Sequence, residues 1–362
     1  MMKRILFLSP NLGGGGGGSE RQIVTVACLL KNRGYDVEFL CYSEGNFYFH
    51  ILELQHIPVY WMISSNYLKR MISVRKFIRS GKYDVVISFL NTPNFLNNFA
   101  TVGGKRWKVI TGERSAKEEN FLSRQEKVFA WFQRFADYIV CNSENAKNMW
   151  IKYYPQYAGK MAVIYNNVNL PSITSTYIPK RDGKLHIVVA ASYQYLKNPI
   201  GLIKAIASMS EEEREKIVVD WYGKNDDLRR EVYDEANRMI GTLGVKNIIL
   251  HPVVSDILNI INTSDAVALL SSVEGLPNAI CEGMMLGKLV IMSRISDYEI
   301  LVDDTNGFLC DWDDIASIKN AILSAANLSV EQLEKMGKSS RNKAERLFST
   351  TIVNKWISLI EK

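Results

Sequence analysis

The chain is poor in the residues that staple or metallate a fold. Its five cysteines are odd in number and widely spaced, and its four histidines show no metal-ligand spacing. That pattern argues against a disulfide framework and a structural zinc site, and points to a reducing compartment. No run of 18 apolar residues occurs, so no transmembrane helix is expected. The opening MMKRILFLSPN has a charged start but only a short apolar run before Pro10, so no secretory signal peptide is expected. What remains is ordinary globular composition, 47% apolar and 23% charged, in 362 residues. A chain of that length exceeds what one hydrophobic core usually fills, and two domains are expected.

Charge is unevenly spread. Residues 1–175 hold 22 Lys and Arg against 12 Asp and Glu, whereas the remainder holds 22 against 26. A basic front half points to an anionic partner there, a membrane surface or a nucleic acid, with a solvated basic face as the plain alternative. One stretch, YLKRMISVRKFIR at 67–79, can form a basic amphipathic helix that would lie on an anionic bilayer or simply face the core.

Short apolar runs at 4–9, 36–42, 84–89, 108–111 and 137–141 read as buried strands, with helical stretches such as 20–32 and 67–79 between them. The pattern restarts at 186–190, 216–222, 247–251, 265–270 and 289–292. Continuous apolar strands separated by helices predict parallel sheets covered on both faces. The expected fold is therefore α/β: two doubly wound, Rossmann-like domains facing a central cleft. The first covers 1–170 and the second 185–349, with a Pro-, Ser- and Thr-rich linker over 171–184 and a final helix in 350–362 that crosses back to the first domain.

Six consecutive glycines, 13–18, follow the first strand and precede a helix opened by Ser19-Glu20-Arg21-Gln22. This is the strand–glycine loop–helix position where backbone N–H groups cradle phosphate. Gly13-x-Gly15-x-x-Gly18 also fits the dinucleotide fingerprint, with Glu38 or Glu44 as the ribose-binding acid, so a dinucleotide-dependent oxidoreductase is one alternative.

The segment SDAVALLSSVEGLPNAICEGMMLGKLVIMS carries the sharper signal. A strand leads to Ser271-Ser272, then Glu274 in a loop, then Gly275-Leu276-Pro277-Asn278 and a helix bearing Glu282. Pro277 suits the first helical turn, where its missing N–H costs nothing. The first-turn N–H groups offer an anion site, and the two carboxylates suit sugar hydroxyls.

This arrangement resembles the E-x7-E segment of retaining glycosyltransferases of family 4, which have the GT-B fold. Further elements follow in order: Gly17-Gly18-Ser19-Glu20-Arg21, Lys197-Asn198-Pro199, the strand ending at Gly223, and Asn306-Gly307-Phe308-Leu309. The resemblance implies that Glu282 holds the nucleotide ribose and Glu274 contacts the donor sugar near its anomeric carbon. It implies that Lys197 neutralises the diphosphate as leaving-group charge grows. Gly17 and Gly18 would bring N–H groups to the same diphosphate, and Gly275, Leu276, Pro277 and Asn278 would line the donor site. The expected activity is metal-independent transfer of a sugar from a nucleotide diphosphate, most simply UDP, with no further cofactor. The expected acceptor is a lipid-linked oligosaccharide of a bacterial surface polysaccharide. The expected location is the cytoplasm or the inner face of the cell membrane, and no nucleic-acid partner is expected.

The sequence departs from the family in two places. Ser192 stands where relatives carry a second cation for the diphosphate, so a nucleotide-sugar-binding protein without turnover is a further alternative. Thr111-Gly112-Glu113-Arg114-Ser115 stands where many relatives place a histidine near the reacting sugar. Glu113 would then serve the acceptor hydroxyl and Arg114 supply charge, or the two would form a structural ion pair. Asp311-Trp312-Asp313 matches the D-x-D of metal-dependent transferases of another fold, but its place before a helix makes capping the expectation.

Overall fold

The computed structural model describes residues 2–13, 18–116, 118–168 and 177–362. The chain divides into two compact units, 1–167 with 350–362, and 168–349.

The first unit is built on a parallel sheet of seven strands: β1 (Arg4–Ser9), β2 (Asp36–Cys41), β3 (Val59–Trp61), β4 (Val85–Phe89), β5 (Lys108–Glu113), β6 (Tyr138–Cys141) and β7 (Met161–Val163). Their order is β3-β2-β1-β4-β5-β6-β7. The second unit holds six parallel strands: β8 (Leu185–Ala190), β9 (Ile217–Gly223), β10 (Ile248–Pro252), β11 (Ala266–Leu269), β12 (Leu289–Ser293) and β13 (Gly307–Cys310), in the order β10-β9-β8-β11-β12-β13. Each sheet reverses its winding next to its first strand, between β1 and β4 and between β8 and β11. A doubly wound sheet opens its ligand crevice beyond the carboxyl ends of the strands at such a point.

The central strands β1, β4, β11 and β12 are buried almost residue for residue, as their unbroken apolar runs require. Of the edge strands, β3 and β7 have no buried residue, and β10 and β13 are buried at only some of theirs.

The last helix, Val353–Glu361, packs within the first unit. The Lys3 and Lys108 amines donate to the carbonyls of Leu359 and Ile360 at 2.8–3.0 Å, so two cations close the carbonyl end of that helix. Residues 177–184, at the end of the expected linker, are tied into the second unit. Tyr177 donates its hydroxyl to Asp265 at 3.0 Å, and the Lys180 amine donates to the carbonyls of Ala326 and Leu328.

The basic stretch at 67–79 does form a helix, Tyr67–Ser80, with Val74 and Ile78 buried. Two of its arginines, Arg75 and Arg79, are engaged by a neighbouring helix. Arg75 donates to the carbonyls of Phe99, Ala100 and Val102, and Arg79 to Ala100 and Gly104. They close the carbonyl end of the neighbouring helix, Asn91–Ala100.

Helix Asn278–Met285 lies close on β11 because Gly283 has no side chain there. A Cβ at Gly283 would stand 2.2 Å from Val267 Cγ1. Gly283→Ala is therefore expected to overpack this contact and lower stability by about 1–3 kcal/mol. Urea denaturation followed by tryptophan fluorescence measures it; an unshifted midpoint would mean that the helix can lift off the strand without loss.

Candidate active site

The second unit gathers most of the expected site residues at the carboxyl ends of β8 and β11. After β8 the chain runs through Ser192 and Tyr193 to a single 3-10 turn, Tyr195–Lys197. Asn198 takes a left-handed conformation, φ 63°, and caps helix Pro199–Ala207 by accepting from Gly201 N at 3.1 Å. Tyr193 is fully buried, and its hydroxyl donates to the carbonyls of Trp221 and His251. A Cβ on Gly223 would stand 2.1 Å from the Ala191 carbonyl oxygen, so β9 must end in glycine for this turn to form.

The turn meets the loop after β11. Ser272 N donates to Leu196 O at 2.8 Å, and the Lys197 amine is ion-paired with Glu274 Oε1. Ser271 donates its hydroxyl to the same oxygen at 2.8 Å. The pair is mostly buried, the Lys197 and Glu274 side chains being 19% and 14% exposed. The loop is pinned from β12 and the residues beyond it. Ser293 donates to Ser271 O at 2.6 Å, and Ser296 donates to Gly275 O.

Helix Asn278–Met285 starts from this loop. Pro277 is its capping residue, not the first helical residue expected from sequence, and it offers no side-chain acceptor to the first turn. Seven other helices are capped by Ser, Asn or Asp side chains, at Asn66, Ser123, Ser143, Asn198, Ser210, Asp314 and Ser329. The helix beside Glu274 thus lacks that side-chain competitor for an anion at its positive end. Glu282 is buried on its second turn.

Ser192 is half-buried and brings no charge. Lys224, the residue after β9, meets this turn through its backbone, Tyr193 N donating to Lys224 O at 3.2 Å, and its amine is ion-paired with Asp226 at 3.2 Å. The D-x-D stretch holds no metal cluster among the described residues. Asp311 pairs with Arg294 at 3.0 Å, and the helix that follows is capped by Asp314.

Of the N-terminal loop, Gly17 lies outside the described residues, and Gly18 is the first residue of helix Gly18–Asn32. Glu38 is buried on β2, where Arg4 and the Tyr83 hydroxyl hold its carboxylate. It is occupied by the core and not presented to a ribose.

The first unit holds a second cluster, at the end of β5. Glu113 is buried, and Oε1 accepts from Asn94 Nδ2 and Gln133 Nε2, both at 2.9 Å. Burial pushes its pKa up to about 8, against the pull of those two donors. Arg114 does not pair with it. The guanidinium lies 3.7 Å over the Phe89 ring and donates to Asn166 Oδ1 at 3.2 Å. Burial lowers its pKa to about 9. The ion-pair expectation fails because Asn94 and Gln133 hold the carboxylate while Phe89 and Asn166 hold the guanidinium. Leu90, between β4 and the helix that carries Asn94, sits at φ 77°, and its N–H donates to Gly112 O. For a branched residue that is strained backbone, stored beside the site. Glu113 lines a pocket with Asn91, Ser115, Glu126, Phe129 and Gln133. Sequence reasoning missed Asn94 and Gln133; the polar density of NTPNFLNN on a helix facing the core signals Asn94, and nothing in the chain signals Gln133, which starts the short turn Gln133–Phe135.

Two doubly wound units of parallel strands have the architecture of the GT-B fold. Residues 16–171 match the model described as Glycosyltransferase Family 4, and residues 176–343 match that described as Glycosyl transferases group 1. The chain belongs to the GT-B glycosyltransferases of family 4. It is 26% identical over 342 residues to the UDP-Gal:alpha-D-GlcNAc-diphosphoundecaprenol alpha-1,3-galactosyltransferase of Escherichia coli, covering 87% of this chain and 86% of that one. It is 23% identical over 376 residues to the GalNAc-alpha-(1->4)-GalNAc-alpha-(1->3)-diNAcBac-PP-undecaprenol alpha-1,4-N-acetyl-D-galactosaminyltransferase of Campylobacter jejuni, covering 99% and 98%. Among solved structures, Anabaena HepE in complex with UDP and glucose shares the fold, with a TM-score of 0.82 at 20% identity over 98% of each chain. Family membership removes the oxidoreductase alternative.

The raised pKa of Glu113 sets a pH dependence. The folded state keeps a proton that the unfolded chain releases above its ordinary value near 4.5. Stability from this group is therefore complete below that value and is lost as pH rises through about 8. Glu113→Gln, which keeps the acceptor for Asn94 and Gln133, should abolish that decline. Urea denaturation of both proteins from pH 5 to 9 checks it, and parallel profiles would refute the assignment.

Proposed function

We propose that this glycosyltransferase moves a sugar from a UDP-sugar to a polyprenyl-diphosphate-linked glycan, with retention at the anomeric carbon and without a metal ion. The observation that carries the reading is the junction of Lys197, Glu274 and Ser271 beside the helix that starts at Asn278. Both curated relatives are named for α-linked transfer onto undecaprenyl-diphosphate-linked sugars, and the first for UDP-Gal. An α-linked sugar nucleotide giving an α-linked product is retention by definition.

In this reading an incoming diphosphate draws the Lys197 ammonium away from Glu274. The carboxylate, still held by Ser271, then faces sugar hydroxyls, while Glu282 holds the ribose. Leaving-group charge is stabilised by the ammonium and by the first-turn N–H groups of the helix, and Gly275, Leu276, Pro277 and Asn278 line the donor. Gly17 and Gly18 take the N–H role that the resemblance gave them. Glu113, protonated at neutral pH, binds the acceptor hydroxyl. Loss of a second cation at Ser192 favours one other reading, a protein that binds the donor without turning it over.

Thermal melting with UDP, GDP, ADP and NAD, each with EDTA or added metal, separates these readings. UDP at about 100 times its dissociation constant should stabilise by about 2.7 kcal/mol, with EDTA making no difference, and Glu282→Ala should abolish the shift. A shift with NAD alone, or one that requires metal, would overturn the proposal. Lys197→Ala should lower kcat by about 10²–10³-fold while a UDP shift persists. A wild-type protein that binds UDP and forms no product from any UDP-sugar and lipid-linked acceptor would support the binding-only reading.

A further inference from the structure

Helix Asn91–Ala100 presents two asparagines, one turn apart, to two carboxyl groups. Asn94 Nδ2 donates to Glu113 Oε1 at 2.9 Å, and Asn91 Nδ2 donates to Glu126 Oε2 at 2.7 Å. Both carboxyl groups line one cavity at the carboxyl end of β5. Its wall is apolar: Phe121 and Trp150 are buried, in edge-to-face contact at 5.5 Å, and Phe129 also lines it. Asn91 and Glu126 are half-buried, so the polar side reaches water. Among the described residues no cation pairs with Glu126. The cavity measures about 20 Å³, against roughly 10–15 Å³ for one water.

We propose that this cavity takes the acetamido group of an N-acetylated sugar at the accepting end of the glycan. A pyranose ring is too large for a space of one or two waters, whereas an acetyl branch matches it. The methyl fills the aromatic end, and the amide N–H donates to the Glu126 carboxylate at the rim. Glu113 then meets the hydroxyl that receives the new sugar. Other ring substituents match less of the cavity. A hydroxyl would leave the aromatic wall without contacts, and an ammonium brings no methyl to cover it. A carboxylate would meet like charge at Glu126.

The inference rests on the reading of this chain as a glycan-extending transferase, and its test needs no turnover. Saturation-transfer NMR on the full chain compares methyl α-glycosides of N-acetylglucosamine, N-acetylgalactosamine, glucose, galactose and glucosamine. The N-acetylated sugars should receive saturation, most strongly at the acetyl methyl protons, and the others should receive little. An N-propionyl analogue should bind roughly tenfold more weakly, because one more methylene overfills the cavity. Glu126→Leu should raise the apparent Kd roughly tenfold or more, and Glu126→Gln, which keeps an acceptor, by less. Circular dichroism shows whether these variants are folded. The UDP-induced rise in Tm of the wild type, measured alongside, reports the donor site separately. A wild type without that rise that still selects N-acetylated glycosides would sink the donor reading and support this one. Equal saturation of all the sugars, or of ring and acetyl protons, would overturn the proposal. So would tighter binding of the glucosamine glycoside, no saturation of any sugar, or folded variants that bind like wild type.

Discussion

Every strand pairing in the two sheets is parallel, and a parallel sheet must be covered on both faces. That constraint organises the molecule. With β1, β4, β11 and β12 closed off from water, chemistry has no place on the sheet faces and moves to the loops beyond the strand ends. Lys197, Glu274 and Glu113 all stand at such ends. The same constraint explains why two glycines cannot be anything else. Gly283 lets a helix close on β11, and Gly223 lets the β8 and β9 ends approach within backbone contact.

Burial then sets the chemistry of the carboxylates in opposite ways. Glu274 keeps an ammonium partner and a hydroxyl donor, so its charge is compensated where it stands. Glu113 has two amide donors but no cation within bonding distance, and burial holds the proton on it. One unit thereby presents a compensated, charged carboxylate and the other a buried carboxyl that keeps its proton. The difference lies in what surrounds each residue, since both are glutamates in loops or strand ends of similar sheets.

The central strands were legible because each is a continuous apolar run, and the loop–helix junction at 271–282 because its residue types follow a recognisable order. β3, β7 and β13 were not: each is an edge strand of only three or four residues, whereas the longer edge strand β10 was read from its apolar run. The partners of Glu113 were hidden for another reason. Asn94 and Gln133 are brought to β5 by helix packing, and no spacing along the chain encodes that meeting. In the helix Tyr67–Ser80, Arg75 and Arg79 serve a neighbouring helix end, which their charge alone could not show. Composition records a positive residue without recording what it already holds.

The cation missing at Ser192 has a physical consequence for how the donor site must work. With two cations on a diphosphate, neither needs to be released from another partner. Here Lys197, the cation at the turn, is paired with Glu274 and already neutralised. The permanent positive end within reach is that of helix Asn278–Met285, whose capping residue is a proline without a competing side chain. Its dipole amounts to roughly half an elementary charge and does not have to be freed. In the proposed reading, the diphosphate is held by fixed backbone dipoles first and by Lys197 second. On that proposal, exchange of Lys197 between Glu274 and phosphate couples anion binding to release of the Glu274 carboxylate.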